Sequence, residues 1–223
     1  LSVVDDEDLV EAPRSTADSS LRERWNDYGI GLLLQGDLRG AETAFRQVMS
    51  IDPSYADGGI NLARAKLQEG DIDAAIPLLE SALKLEPKLS RAHYFLGVAL
   101  RASGEYEEAL SHFEIARKQY PRDRVVLGQI GRIHFLQRRF SDAVETFKDV
   151  LRIDPEDLQA HYNLMLSYRG LGDSKRASAE QVLYERFKAD ESAQSITGPY
   201  RLISPEDNNE RQGIHEHGSP PSQ

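Results

Sequence analysis

Cysteine is absent from all 223 residues. That excludes disulfides, thiolate metal sites, thioether haem attachment and thiol nucleophiles together. No apolar run approaches the roughly 18 residues that a membrane-crossing helix needs, so membrane insertion is not expected. Basic residues are outnumbered, 27 against 37 acidic, for a net charge of −10. This balance argues against nucleic acid or an anionic membrane surface as the main partner. No Asn-x-Ser/Thr sequon occurs, and the first residue is Leu1 rather than Met. Leu1 reads as a processing boundary; with the lack of cysteine it raises the expectation of an exported protein, periplasmic or extracellular.

Catalytic groupings are missing as well. Gly29-Ile30-Gly31 falls inside a helical stretch rather than after a strand, so it is no dinucleotide loop. His112 and His134 lie in helical stretches without an Asp-His-Ser or metal-ligand grouping around them. His215 and His217 are only two ligands, two residues apart, which is poor metal chemistry. Acidic pairs such as Glu107-Glu108 read as solvated helix faces. No metal, no cofactor and no enzymatic activity are expected.

What is present is segregated. Residues 1–20 carry six acids and one base, and residues 190–223 carry six acids and two bases. The intervening 21–189 is close to neutral, so the reading is a body with two polar, acidic ends.

The body repeats. Prolines stand at Pro53, Pro87, Pro121 and Pro155, each 34 residues after the last. Three of them follow an aliphatic–acid pair: Ile51-Asp52, Leu85-Glu86 and Ile153-Asp154. Small residues align at Gly29, Ala63, Gly97 and Gly131, with Met165 in the last unit, and twelve residues later at Ala41, Ala75, Ala109, Ala143 and Ala177. Phe45, Leu79, Phe113 and Phe147 follow, then Val48, Ala82, Ala116 and Val150. Apolar spacings of three and four give two amphipathic helices per unit. The small pair lets them approach, and the large residue is expected to wedge against the next unit. Gly36, Gly70, Gly104 and Gly172 mark the turn between helices, with Arg138 in that place in the fourth unit. Proline ends the second helix.

This pattern resembles the tetratricopeptide repeat family. Trp25, Tyr28, Gly29, Leu32, Gly36, Ala41, Phe45 and Pro53 carry the family signature in the first unit, and the next three match well. The fifth departs, with Gln181 where a large apolar residue is expected; Val182, Leu183 and Phe187 are expected to serve instead. The resemblance implies an all-α fold, a right-handed superhelical solenoid of about five 34-residue helix-turn-helix repeats with extended N- and C-terminal tails. The units are 22–55, 56–89, 90–123, 124–157 and 158–189.

It also implies that positions two, five, nine and twelve of each unit face a concave groove. The peptide-binding candidates there are Asn26, Ile30, Ile60, Arg64, Arg91, Tyr94, Arg101, Arg132, Phe135, Tyr162 and Arg169. Gly128 takes the fifth position of the fourth unit. His93 and His161, at the fourth position where Trp25 sits in the first unit, are packing residues. Five arginines among aromatics suit an extended, acidic, partly apolar peptide. The alternative is that they pair with acids on neighbouring helices.

The N-terminal segment has that peptide's composition. Val3, Val4, Asp5, Asp6, Asp8 and Leu9 form a candidate docking arm, in cis or trans. Tyr200, Leu202 and Ile203, between Pro199 and Pro205, are candidate anchors of an extended C-terminal tail. Three readings follow. The chain is a self-assembling structural subunit, head to tail or filamentous, that binds itself; or a monomeric adaptor for another protein's acidic peptide; or a non-catalytic piece of a larger exported redox or enzyme assembly.

Overall fold

The computed structural model describes residues 16–192, with side chains from 18 to 188. These residues form ten helices and no strand: α1 (Thr16–Leu34), α2 (Leu38–Ile51), α3 (Ala56–Glu69), α4 (Ile72–Leu85), α5 (Ser90–Ser103), α6 (Tyr106–Gln119), α7 (Arg124–Leu136), α8 (Phe140–Ile153), α9 (Leu158–Gly170) and α10 (Ser174–Ser192). Consecutive helices pack in order, making five antiparallel pairs stacked into a solenoid. The first helix starts at Thr16, so residues 16–20 are helical rather than part of an extended arm. The last runs to Ser192, past the unit boundary at 189. Val3, Val4, Asp5, Asp6, Asp8 and Leu9 lie outside the described residues, and so do Tyr200, Leu202 and Ile203.

The turn between the helices of a pair needs a left-handed residue, and Gly36, Gly70, Gly104 and Gly172 supply it with φ between 76° and 86°. Arg138 takes the same conformation at φ 60°, the only non-glycine to do so among the described residues. After the turn, Asp37 and Asp71 cap α2 and α4 by accepting from the backbone N–H of Gly40 and Ala74. Asp123 and Asp157 do the same for α7 and α9.

Phe45, Phe113 and Phe147 are fully buried, and their rings lie against Gly29, Gly97 and Gly131 of the same unit. A Cβ at those glycines would come within 2.6, 2.9 and 2.8 Å of the rings. The large residue therefore fills the space inside its own pair and also meets the next unit, Phe45 clustering with Leu62 and Ala65 and Phe147 with Leu164 and Met165. Arg22 and Arg124, each at the start of a unit, reach the acid at that unit's end: Arg22 to Asp52 at 2.9 Å and Arg124 to Asp154 at 2.6 Å.

The fifth unit closes partly as expected. Leu183 and Phe187 are half-buried, but Val182 is 68% exposed and does not stand in for the missing large residue. Tyr184 meets Tyr162 at 5.3 Å and Phe187 stacks on His161 at 5.2 Å. The outward side of α10 carries Lys175, Ser178, Val182, Glu185 and Arg186, all exposed, so this end is mostly polar.

Candidate functional site

The first helices of successive units touch one another, α1 with α3, α3 with α5, α5 with α7 and α7 with α9. No comparable contact joins the second helices. The odd-numbered helices thus line the inner, concave side, and their side chains make the groove.

Not every candidate offers surface there. Ile60 is fully buried, and Ile30 and Asn26 are 7% and 6% exposed. Neighbouring first helices close over these positions, so they are core rather than groove lining. Asn26 accepts a hydrogen bond from the Asn61 side chain at 2.8 Å, and Asn61 accepts in turn from Arg64. Tyr94 is buried to 8% exposure. Burial pushes its hydroxyl up to about 12, against a hydrogen bond from Gln129 that pulls it down.

The five arginines divide into paired and unpaired. Arg91 forms an ion pair with Asp57 at 2.9 Å. Arg64 lies 5.2 Å over the ring of Phe95, a groove residue the repeat positions had not pointed to. Burial, and then the Arg91 charge, bring the Arg64 guanidinium down to about 10. Arg169 donates to the side chain of Gln181. Arg101 and Arg132 have no carboxylate partner among the described residues. Burial and the neighbouring Arg132 charge both lower Arg101, and its Nε is buried without an acceptor. A like-charged pair held in a partly desolvated groove favours an anion between its members. Phe135 packs against Phe140 at 5.5 Å, and Tyr162 keeps 38% exposure at the far end.

Between the last two units the groove deepens into a cleft of ≈ 210 Å³. It opens at Gly128, where a Cβ would have nothing within 4 Å. Sequence reasoning put Gly128 on the groove but did not read it as a gap; the signal was a missing side chain where other units carry Asn26, Ile60, Tyr94 and Tyr162.

His93 and His161 are buried in matching places, each with Nε2 at 3.0 Å from the carbonyl of the unit's preceding proline, Pro87 or Pro155. Nδ1 of His93 meets Nδ1 of His112 at 2.8 Å, and Nδ1 of His161 meets Glu180 at 2.7 Å. Among the described residues no three metal-ligating side chains converge, and no helix is long and apolar enough to cross a membrane.

The repeat geometry agrees with comparison to known proteins. A tetratricopeptide repeat model matches residues 60–124 and 129–191, and a second matches 32–75. The chain belongs to the tetratricopeptide repeat family. Repeat arrays of this family act mainly as protein-interaction scaffolds. Among curated relatives, the anaphase-promoting complex subunit CDC16 of Saccharomyces cerevisiae is 26% identical over 61% of this chain. That match spans only 17% of the yeast protein. The type IV pilus assembly protein PilF of Pseudomonas aeruginosa is 27% identical over 60% of this chain and 54% of its own length. The solved PilF structure superposes with a TM-score of 0.70 at 22% identity, covering 77% of this chain and 78% of PilF. MamA from Desulfovibrio magneticus gives 0.70 at 17% identity, over 80% of this chain and 98% of that one. At these identities the structures establish the fold alone.

Proposed function

We propose that this tetratricopeptide repeat protein is a non-catalytic interaction subunit whose concave groove takes an extended acidic peptide. The observation that carries the reading is the pair Arg101 and Arg132, set in the groove without a carboxylate partner among the described residues. Residues 1–15 of a second copy have the matching chemistry, with Asp5, Asp6, Glu7, Asp8 and Glu11 among Val3, Val4, Leu9 and Val10. The arm of one subunit in the groove of the next makes a self-assembling structural protein, and a contact of this kind that does not close on itself propagates as a filament. Tyr200, Leu202 and Ile203 give the C-terminal tail apolar anchors for a second dock. The likeness to a pilus assembly protein supports an exported setting, periplasmic or extracellular.

Light scattering and negative-stain microscopy on the full chain, and on the chain without residues 1–15, test the assembly. The expected result is large, regular particles that disappear on deletion and weaken with salt. A monodisperse 25.0 kDa species in both samples overturns self-assembly. The groove would then serve an acidic peptide from another protein, within an adaptor or a larger assembly.

A further inference from the structure

We propose that the gap at Gly128 is a side-chain pocket that selects an aliphatic residue next to an acid. The inference rests on the reading of the groove as an acidic-peptide site and adds to it the feature that sets register. Four units fill the fifth position of their first helix with Asn26, Ile60, Tyr94 and Tyr162, and only the fourth leaves it empty. Glycine inside a helix is unfavourable by about 1 kcal/mol relative to alanine, so this gap is kept against helix propensity.

The cleft beneath it has the make-up of a peptide subsite. Phe147 and Val150 of α8, 1% and 2% exposed, form an apolar floor, and Val125 and Ala160 line it from α7 and α9. Two arginines line it: Arg124 is paired with Asp154 and Asp157, which leaves Arg132 as the cation without a carboxylate partner among the described residues. Gln129 stands beside it with its side-chain Oε1 buried and accepting no hydrogen bond. That orphan acceptor is the second observation: a buried carbonyl oxygen lacking a donor is costly, and a backbone N–H of an extended chain supplies one. The three groups together specify a branched aliphatic side chain inserted toward Phe147, its backbone N–H on Gln129, and a neighbouring carboxylate on Arg132 with Arg101 behind. Val4-Asp5 and Asp8-Leu9 of the chain's own N-terminal segment have this form.

The test uses a fluorescein-labelled peptide of residues 1–12 in an anisotropy titration. The receptor is the full-length chain with Asp5, Asp6, Glu7, Asp8 and Glu11 changed to their amides, so that its own arm does not compete. Gly128→Leu fills the cleft and is expected to weaken binding at least tenfold. It leaves the helix intact, because its Cβ enters open space, and a circular dichroism melt verifies this. A peptide with Val3, Val4, Leu9 and Val10 changed to serine is expected to lose a similar factor, with little further loss on the Gly128→Leu receptor. Binding that falls with Arg101→Gln and Arg132→Gln but is untouched by Gly128→Leu overturns the pocket and leaves the groove reading standing. No binding to the receptor that keeps Gly128 overturns both. Binding that falls with Gly128→Leu and ignores the arginines keeps the pocket and removes the electrostatic part.

Discussion

At the residue scale, glycines of similar sequence context have opposite roles. Gly131 lies under the Phe147 ring, 2.8 Å from where a Cβ would sit, whereas Gly31 has open space there. Gly131→Ala must push a fully buried ring out of a packed pair, and overpacking of this kind is worth roughly 1–3 kcal/mol. Gly31→Ala only removes glycine's backbone freedom, and stabilises by about 0.5–1 kcal/mol. Urea titrations of the two variants should therefore shift their midpoints in opposite directions, and shifts of the same sign would contradict this packing. Arg138 adds a third case. Its φ of 60° is one that side-chain-bearing residues resist by roughly 1–2 kcal/mol. Arg138→Gly removes that strain and returns part of the gain as unfolded-chain entropy. A modest rise in the urea midpoint is the expected outcome; a fall would mean the Arg138 side chain contributes more than its backbone strain removes.

At the element scale, the third and fifth units place a histidine in the same spot and meet it with opposite partners. Nε2–H of each ring donates to the preceding proline carbonyl, so the two sites differ in what meets Nδ1. Burial alone would lower His161, but the hydrogen bonds to Glu180 and to the Pro155 carbonyl, with the Glu180 and Asp157 charges, outweigh it and raise the group. His112 goes the other way: burial first, then His93, lower it, with Glu108 and Glu80 opposing weakly. A raised histidine stabilises fully below its unfolded pKa near 6.5, and that contribution fades as pH climbs through the folded value. A lowered one stabilises above about 6.5, and its contribution is lost as pH falls through the folded value. His161→Gln should thus be more damaging at pH 5 than at pH 8, and His112→Gln less damaging at pH 5 than at pH 8. Denaturant titrations of both variants across that range check it. Parallel pH profiles would show that the two pairs do not titrate in opposition.

At the scale of the whole molecule, the periodic features were legible because a repeat states its own rules several times. Pro53 to Pro155, the Ala41 series and the turn glycines gave the number of units and their boundaries. What was hidden depends on neighbours that one position cannot report. Ile60 and Tyr94 occupy groove positions yet are covered by adjacent helices, the Gly128 cleft is an absence, and Val182 lies outside the closing contacts that its hydrophobicity suggested. The same dependence on neighbours sets how the array comes apart. Among the seams between units, α6 against α7 is the least extensively packed. There the chain reads Gln119-Tyr120-Pro121 in place of an aliphatic–acid pair, and the exposed Gln119 bonds back to the Lys88 carbonyl at the end of the preceding unit instead of forward. In a solenoid, stability is close to a sum of unit and nearest-neighbour terms, so the weakest seam divides the array into α1–α6 and α7–α10. Amide exchange in sub-denaturing urea should release α7–α10 as one group, at lower urea than α3–α6. A single step over all helices would mean that the seam does not divide the molecule. Arg101 and Arg132 stand on opposite sides of it, so a peptide that engages both stabilises only the joined state. Saturating peptide 1–12, on the arm-neutralised chain, is expected to bring the two exchange steps together; two steps left apart would place the peptide on one side of the seam alone.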